Sequence, residues 1–349
     1  MTRQTWTAAI SALLFVVLAA VIALVPVPYI TWAPGTTYDL LGKVNDSDAI
    51  SISGATVYPT SGQLRMTTIS VTAPESNLTL PEVLISYFMP DRVVLPRVAV
   101  YRPGTSATDV NREESVLMTQ SQTSAVVAAL RAANIPVTEL PMVYSVQNAG
   151  AAAGILEPGD LISAVDGTAV VTPSDVVKAV KDRHVGQRVV FSIIRDRVPM
   201  QRAVTTRAST TTPDTPTVGV DINIGYSYDP KVSFAVDPNV GGSSAGLMFS
   251  LAIYDRLTTG ELVSGQVVAG TGTMTAGGVV GSIGGVAEKL AAASRDKATV
   301  FLLPQQNCVD VTSVPAGIRL VPVNDLKGAI AALQMLSDPA QAANVAGCS

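Results

Sequence analysis

The chain has 349 residues, and its 23 basic and 27 acidic side chains give a formal net charge of −4. At about 100–200 residues per domain, this length allows two or three domains. Charged residues make up 14% of the chain, against about 25% in an average soluble protein. The mild acidity and the lack of lysine or arginine clusters exclude a dedicated nucleic-acid surface. The one histidine, His184, excludes histidine-rich metal sites, and we predict no metal and no cofactor.

The chain begins with an apolar segment that is long enough to cross a membrane. Within Trp6–Val25 the polar side chains are those of Thr7 and Ser11. Twenty residues at about 1.5 Å per residue measure about 30 Å, the thickness of the hydrocarbon core of a bilayer. Tryptophan and tyrosine residues flank the segment, as is typical of membrane interfaces. We therefore predict a transmembrane anchor over residues 6–28.

The charges around this anchor predict its orientation. Arg3 precedes the span and the next basic residue is Lys43, so the positive-inside bias places the N-terminus in the cytoplasm and the bulk of the chain outside. A cleaved signal peptide is the alternative, but its apolar core usually has about 7–15 residues and ends at a small-residue site, which residues 25–35 lack. Cys308 and Cys348 suit an oxidising compartment if they pair, and two buried thiols remain the alternative.

Strands and then helices are predicted between the anchor and residue 134. Residues 49–71 alternate as β-strands do, and Leu80–Met89 reads as a short helix. A long helix is predicted over Ser106–Asn134, with Thr108 or Asp109 as its cap. The face that we expect to pack on a sheet contains Val116, Thr123, Val127 and Leu130.

A separate module is predicted from residue 135 to about residue 208. A Pro158–Asp160 turn precedes a strand at Leu161–Val165, a helix follows a cap at Thr172 or Ser174, and Val189–Ile194 is a further strand. This order, together with the string AGILEPGDLISAVDG, resembles the PDZ domain in its bacterial protease-associated form. PDZ domains bind extended peptides by adding a strand to a sheet edge, so the resemblance implies a peptide-binding module. A purely spacing or regulatory role is the alternative.

The segment Phe234–Leu257 carries the first candidate chemistry. It predicts a strand, a glycine-rich loop at Asp237–Gly242 and a helix that begins near Ser243 or Ser244. A serine at a helix start can present its hydroxyl to a cleft, where N–H groups and the helix dipole stabilise an oxyanion. A simple helix cap and a phosphate-binding loop fit the same pattern. The expected buried face of the helix contains Leu247, Met248, Leu251, Tyr254 and Leu257.

A second segment, Val267–Pro304, favours catalysis over those alternatives. It predicts a strand, a glycine-rich hairpin, a turn at Gly284–Gly285, a helix at Val286–Arg295 and a strand at Val300–Leu303. The string GGSSAG, the hairpin TGTMTAGGVVGSIGG and a helix beginning VAEKLAAA closely resemble the Lon-type serine protease domain. The resemblance covers residues 218–336.

This resemblance implies a Ser–Lys catalytic dyad. Ser244, directly before Ala245 and Gly246, takes the position of the nucleophile, and Lys289 takes that of the general base. A free lysine has a pKa of about 10.4, and burial lowers it toward the operating pH. The departures from the family pattern are Ser243 for the usual proline, Ala287 for the first lysine of GG-x-K-E-K, and Thr273 for an acidic residue.

The region before the PDZ-like module also resembles the beginning of a Lon-type domain. A strand there precedes a helix with an M-x-x-S pattern at Met118 and Ser121. If residues 36–134 are the first part of the protease fold, the PDZ-like module is an insertion within that fold. We hold this as a hypothesis.

The resulting prediction is an α+β protein with an N-terminal transmembrane helix, a β-rich PDZ-like module and a Lon-type α+β protease domain. The predicted regions are an anchor at 6–28, an N-terminal extracytoplasmic region at 36–134, a PDZ-like domain at 135–208, a linker at 209–217, a proteolytic domain at 218–337 and a tail at 338–349.

The predicted function is that of a membrane serine endopeptidase that resembles the PDZ-containing Lon-like proteases of bacteria. No ATPase motif of the form GxxxxGK[ST] occurs in the sequence, so we expect cleavage without ATP. The expected partners are peptide or protein substrates, the membrane and further copies of the chain, and not nucleic acid. The alternative is a membrane-tethered peptide-binding scaffold whose protease-like domain is inactive.

Overall fold

A computed structural model describes residues 3–44 and 46–348, so the last residue of the predicted tail, Ser349, lies outside the described part. The chain divides into two compact units. The first unit is built from residues 3–134 and 230–348, and the second from Ile135–Asp229. The structure is a mixture of helices and sheets, as the sequence predicts.

The helices have the following bounds: α1 Arg3–Leu24, α2 Leu80–Phe88, α3 Arg97–Val100, α4 Ala107–Ala132, α5 Pro173–Lys181, α6 Gly246–Leu257, α7 Val286–Arg295 and α8 Leu326–Ser337. Short 3₁₀ turns lie at Gln305–Asp310 and Ala342–Asn344.

The strands before residue 135 are β1 Pro26–Val27, β2 Tyr29–Asp39, β3 Lys43–Val44, β4 Ser47–Asp48, β5 Ile50–Ser53, β6 Gln63–Val71, β7 Leu78–Thr79 and β8 Val93–Pro96. Those of the second unit are β9 Thr138–Val146, β10 Leu161–Val165, β11 Thr168–Ala169, β12 Arg188–Arg195, β13 Val198–Thr205, β14 Arg207–Ala208, β15 Pro216–Thr217 and β16 Val220–Ser227. The last six are β17 Lys231–Phe234, β18 Val267–Gly270, β19 Thr273–Met274, β20 Val280–Gly281, β21 Val300–Pro304 and β22 Arg319–Val323.

The first unit is organised around one mixed sheet with the strand order β22-β21-β18-β6-β2-β8. Strands β22, β21, β18 and β6 are parallel to one another. Strand β2 pairs with β6 in antiparallel fashion, and β8 pairs with β2 in antiparallel fashion. Strand β6 precedes the second unit in the chain, but it lies between β2 and β18. The chain segments on either side of the second unit therefore share one sheet.

Helix α6 is the central helix of this unit. Ten of its 12 residues are buried, and it packs on α4, α8 and β6. The predicted buried face is confirmed at Leu247, Met248, Leu251 and Leu257, whereas Tyr254 is only partly buried.

Helix α4 differs from its prediction in its cap and in its buried face. Its cap is Ser106, whose hydroxyl accepts a hydrogen bond from the Asp109 N–H, and neither Thr108 nor Asp109 takes that role. Val127 and Leu130 are buried as predicted, but Val116 and Thr123 are exposed. The buried surface shifts because α4 packs against α6. The residues that fill this contact side include Met118, Ser121 and Ala125.

The second unit is a β-rich module with the strand order β13-β12-β10-β9-β16, in which β11 pairs with β10. The predicted cap Thr172 is confirmed, because its hydroxyl accepts from the Asp175 N–H at the start of α5. Strand β16 pairs with β9 along its whole length. Residues 218–229, which the sequence groups with the protease domain, therefore lie in the second unit, and β16 is a strand of its sheet.

Helix α1 is long and apolar enough to cross a membrane by its length and composition, and none of its residues is buried. An apolar helix near the N-terminus is also typical of a signal sequence. The helix ends at Leu24, ahead of Pro26, which cannot donate a backbone hydrogen bond to continue it.

Candidate active site

The glycine-rich loop before α6 lies against helix α4 at one side of a cleft. A Cβ atom at Gly241 would come within 2.4 Å of the Glu114 Cβ, so only glycine fits there. Gly242 adopts a φ of +88°, which favours glycine, and its N–H donates to the Glu114 carbonyl at 3.0 Å. These two contacts fix the loop against α4 just before Ser243 and Ser244.

The backbone around Ser244 is held from both sides. The Ser121 hydroxyl donates to the Ser243 carbonyl at 3.0 Å. The Ser244 carbonyl accepts from the Gly272 N–H at 2.8 Å and from the Thr271 hydroxyl at 3.1 Å. Because these groups occupy the Ser244 carbonyl, the first helical hydrogen bond is made by the carbonyl of the next residue, Ala245. This carbonyl accepts from the Phe249 N–H at 3.0 Å.

This arrangement corrects the predicted start of α6. The helix begins at Gly246 and its cap position is Ala245, so neither Ser243 nor Ser244 caps it. Ser244 lies two residues before the helix and lines the cleft. The positive end of the α6 dipole is therefore next to this hydroxyl.

Lys289 projects from the first turns of α7 into the protein interior. The helix follows Gly285, whose φ of +73° makes the sharp turn out of the hairpin. The Lys289 side chain is 3% exposed, and its Nζ donates to the Thr271 hydroxyl at 3.2 Å. Burial disfavours the ammonium form and lowers the pKa of Lys289 to about 8, although nearby Glu288 acts in the opposite direction.

Glu288 is buried beside Lys289 without forming an ion pair with it among the described residues. Its Oε1 atom has no hydrogen-bond partner in the described part of the chain, and burial raises the pKa of its carboxyl group. The pair is therefore not a structural salt bridge. The apolar residues that we expected around Lys289, Val286, Leu290 and Ala292, are all buried.

Ser244 and Lys289 line the same cleft, which has a volume of about 1080 Å³. Aromatic and polar side chains from the two chain segments share its walls, and they include Trp32, Tyr38, Tyr101 and Thr273. A cleft of this size is at the upper end of the range that is typical of ligand sites, about 300–1,000 Å³. It has room for a segment of extended peptide.

Thr271 connects the two predicted site residues, although it is not itself among the residues that the sequence predicts for the site. Its hydroxyl accepts from the Lys289 amine and donates to the Ser244 carbonyl. The sequence does contain a feature that points to Thr271, because this residue is the first threonine of the TGT hairpin motif. Periodicity could not show that a fully buried hydroxyl at the end of β18 faces the helix α7 lysine.

The other candidate nucleophiles and bases lie elsewhere. His184 is exposed in the second unit. Cys308 and Cys348 form a disulfide, which resolves the alternative of two free thiols. Neither cysteine is among the residues that line the Ser244 cleft.

Two parts of the chain match the models of known protein families. Residues 235–332 match the family model of the Lon protease (S16) C-terminal proteolytic domain, and residues 120–206 match that of the PDZ domain. The chain therefore carries a Lon-type proteolytic domain together with a PDZ domain. This similarity supports a serine peptidase with a PDZ module.

Individual relatives give the same result for the C-terminal part. The chain is similar to Lon protease 1 of Herpetosiphon aurantiacus, with 37% identity over 101 residues, which are 29% of this chain and 12% of the relative. It is also similar to the Lon protease of Chloroflexus aggregans, with 36% identity over 143 residues, 35% of this chain and 17% of the relative. The chain thus spans less than a fifth of the length of these curated relatives.

Among solved structures, the chain is similar to the PDZ domain of an SdrC-like protein from Listeria monocytogenes. The identity is 25%, and the match covers 24% of this chain and 85% of that one with a TM-score of 0.22.

Proposed function

We propose that this protein is a membrane-anchored serine endopeptidase in which Ser244 is the nucleophile and Lys289 is the general base. One observation carries the proposal: a buried lysine amine shares a cleft with Ser244 and has a pKa lowered to about 8. Buried lysines are costly unless they are paired or neutralised. A lysine that has no carboxylate partner among the described residues and faces a serine cleft suits proton transfer near neutral pH.

The chemistry follows from the roles of these groups. The neutral Lys289 amine accepts the hydroxyl proton of Ser244 as the oxygen attacks a peptide carbonyl. The positive end of α6 stabilises the negative charge on the tetrahedral intermediate. Lys289 then protonates the leaving amine, and water hydrolyses the acyl-enzyme through the same base. Thr271 holds the amine in position by its hydrogen bond.

The rest of the chain extends this proposal. We propose that α1 anchors the enzyme with its bulk on the extracytoplasmic side, and that the PDZ domain binds peptide segments of substrates. The residues before the PDZ domain complete the protease fold, which the position of β6 between β2 and β18 supports. Cleavage then proceeds without ATP.

The test uses the full chain in detergent or proteoliposomes, with casein cleavage and fluorophosphonate labelling as readouts. We expect Ser244→Ala to abolish both, and Lys289→Met to lower both strongly. Ser243→Ala and Lys327→Met are matched controls, because Ser243 is the neighbouring serine and Lys327 is an exposed lysine of the same unit. If neither the native chain nor any of the four variants cleaves casein or is labelled, the scaffold without protease activity is favoured instead. Adding ATP and magnesium is expected to leave the rate unchanged.

A further inference from the structure

Helix α2 has an exposed face that is almost wholly apolar. Val83 and Ser86 are buried under the helix, and the other side faces outward. Ile85 is 62% exposed and Phe88 is 78% exposed. A continuous apolar surface of this kind on a soluble domain favours association with another apolar phase. We define the α2 face as Leu84, Ile85, Tyr87 and Phe88.

The α2 face lies where the chain leaves α1. Strand β1 follows α1 directly and pairs with β7, with Pro26 opposite Thr79. Leu80, the first residue of α2, follows Thr79, and paired strand residues lie about 5 Å apart. Helix α2 also contacts α1 itself. Helix α2, and with it the α2 face, is therefore close to the end of the candidate span.

We propose that the α2 face lies in the membrane surface, in the leaflet where α1 ends. This inference rests on the proposed anchoring by α1. Helices that lie in the interface present aliphatic and aromatic side chains to the acyl boundary, as the α2 face does. The acidic residue of the helix, Glu82, is held at its N-terminal end by hydrogen bonds to Thr79 and does not belong to the face.

We call the first unit, which contains Ser244 and Lys289, the protease unit. The proposal attaches this unit to the bilayer at two points, α1 and the α2 face. The chain that follows α2 runs through β8 and α3 directly to Tyr101, which lines the Ser244 cleft. A second attachment beside the span limits how far this cleft can tilt away from the lipid. The substrates it favours are peptide segments that lie close to the membrane surface.

Depth-dependent fluorescence quenching tests this placement in the full chain. The two native cysteines form a disulfide, so a cysteine introduced by Phe88→Cys can be labelled selectively with an environment-sensitive NBD dye. Phe15→Cys, near the middle of α1, reports on the anchor, and Lys327→Cys, at an exposed position, is the aqueous control. The chain is reconstituted into vesicles of phosphatidylcholine and phosphatidylglycerol that contain doxyl lipids.

We expect the label at position 88 to emit at shorter wavelength than the label at position 327. Its strongest quenching should come from a doxyl group near the headgroups, because interfacial helices lie about 5–10 Å into this boundary. Position 15 should be quenched best by a deep doxyl group. A water-like signal at 88 beside a lipid-like signal at 15 overturns the inference and leaves the anchor intact. Water-like signals at both positions overturn the anchor as well. A shorter-wavelength signal at 88 without doxyl quenching indicates a protein partner and overturns the lipid placement.

Discussion

The two units of this protein differ in how completely their buried charged side chains are hydrogen-bonded. In the PDZ domain, Asp160 is buried and fully partnered: Arg195 donates to its two oxygens at 2.7 and 2.8 Å, and the Glu157 N–H donates at 2.8 Å. In the protease unit, counting the described residues alone, buried Lys289 has one hydroxyl partner, and the carboxylates of Glu288 and Asp255 each have an oxygen without a partner.

This difference distinguishes a charge that stabilises the fold from a charge that can take part in a reaction. A buried ion pair with satisfied hydrogen bonds holds its groups in one protonation state and in one place. A buried charge without such partners has a shifted pKa and can change its protonation state near neutral pH. The comparison predicts that removing charges has opposite consequences in the two units: a loss of stability in the PDZ domain, and a loss of activity in the protease unit.

The largest effect is expected from Lys289→Met. It should lower kcat/KM for a casein-derived peptide by about 10²–10⁴-fold, which is the usual contribution of a general base. The thermal stability should not fall, because methionine fills a similar volume without the cost of a buried charge. Peptide cleavage and calorimetry on the same preparation measure both quantities. Retained activity, or a clear loss of stability, would make Lys289 a structural residue.

The matching change in the PDZ domain is Arg195→Met. It leaves Asp160 buried without its cation and should destabilise this unit by about 2–3 kcal/mol, less than the 3–5 kcal/mol of a fully buried pair, since Arg195 keeps some solvent exposure. Hydrogen exchange of the β12 amides in the full chain measures the effect. Arg188→Met, an exposed arginine at the start of the same strand, is the control. Equal exchange in the two variants would show that the ion pair contributes nothing measurable.

The contrast between the units was only partly predictable from the sequence. The order of strand, hairpin and helix over 267–304 could be predicted because glycine turns and apolar periodicity are local signals. The position of Lys289 followed from its motif on that helix. The pairing of β6 with β18 joins residues about 200 positions apart, and no local pattern specifies such a contact. For the same reason the sequence groups residues 218–229 with the proteolytic domain, whereas β16 within this range pairs with β9 of the second unit.

The start of α6 shows why the details of the site need the structure. The sequence predicts that the helix begins at Ser243 or Ser244, because a serine before an apolar helix is a good cap. Instead, Thr271 and Gly272 bind the Ser244 carbonyl and delay the helix to Gly246. A tertiary hydrogen bond thus overrides a local preference.

The pH dependence of cleavage sharpens the comparison further. Since burial lowers the pKa of Lys289 to about 8, the fraction of neutral amine increases as the pH rises toward this value. We expect kcat/KM to increase about tenfold per pH unit below 8 and to level off above it, as for a single ionising base. An uncharged fluorogenic peptide between pH 6 and 9 measures the profile. A flat profile across this range would show that deprotonation of a lysine does not limit the reaction.

The smallest effect concerns Asp255, a buried carboxylate of the protease unit that does not line the cleft. Its Oδ1 accepts from the Leu262 N–H at 2.8 Å, and its Oδ2 has no partner among the described residues. Burial raises the pKa of Asp255 from 3.8 to about 6. Between these two values the folded protein binds a proton that the unfolded chain has lost, so the free energy of unfolding falls as the pH rises through this window.

Asp255→Asn removes this ionisation and keeps the acceptor for Leu262. Two pKa units at about 1.4 kcal/mol each give an upper limit near 3 kcal/mol, and we expect the variant to lose about 2 kcal/mol of the pH dependence of stability between pH 4 and 7. Urea denaturation of the full chain at several pH values measures the change. Asp48→Asn, an exposed carboxylate of the same unit, should leave the dependence unaltered. If both variants keep the native pH dependence, the unpartnered oxygen of Asp255 is not a destabilising charge, and the contrast between the two units reduces to Lys289 and Glu288.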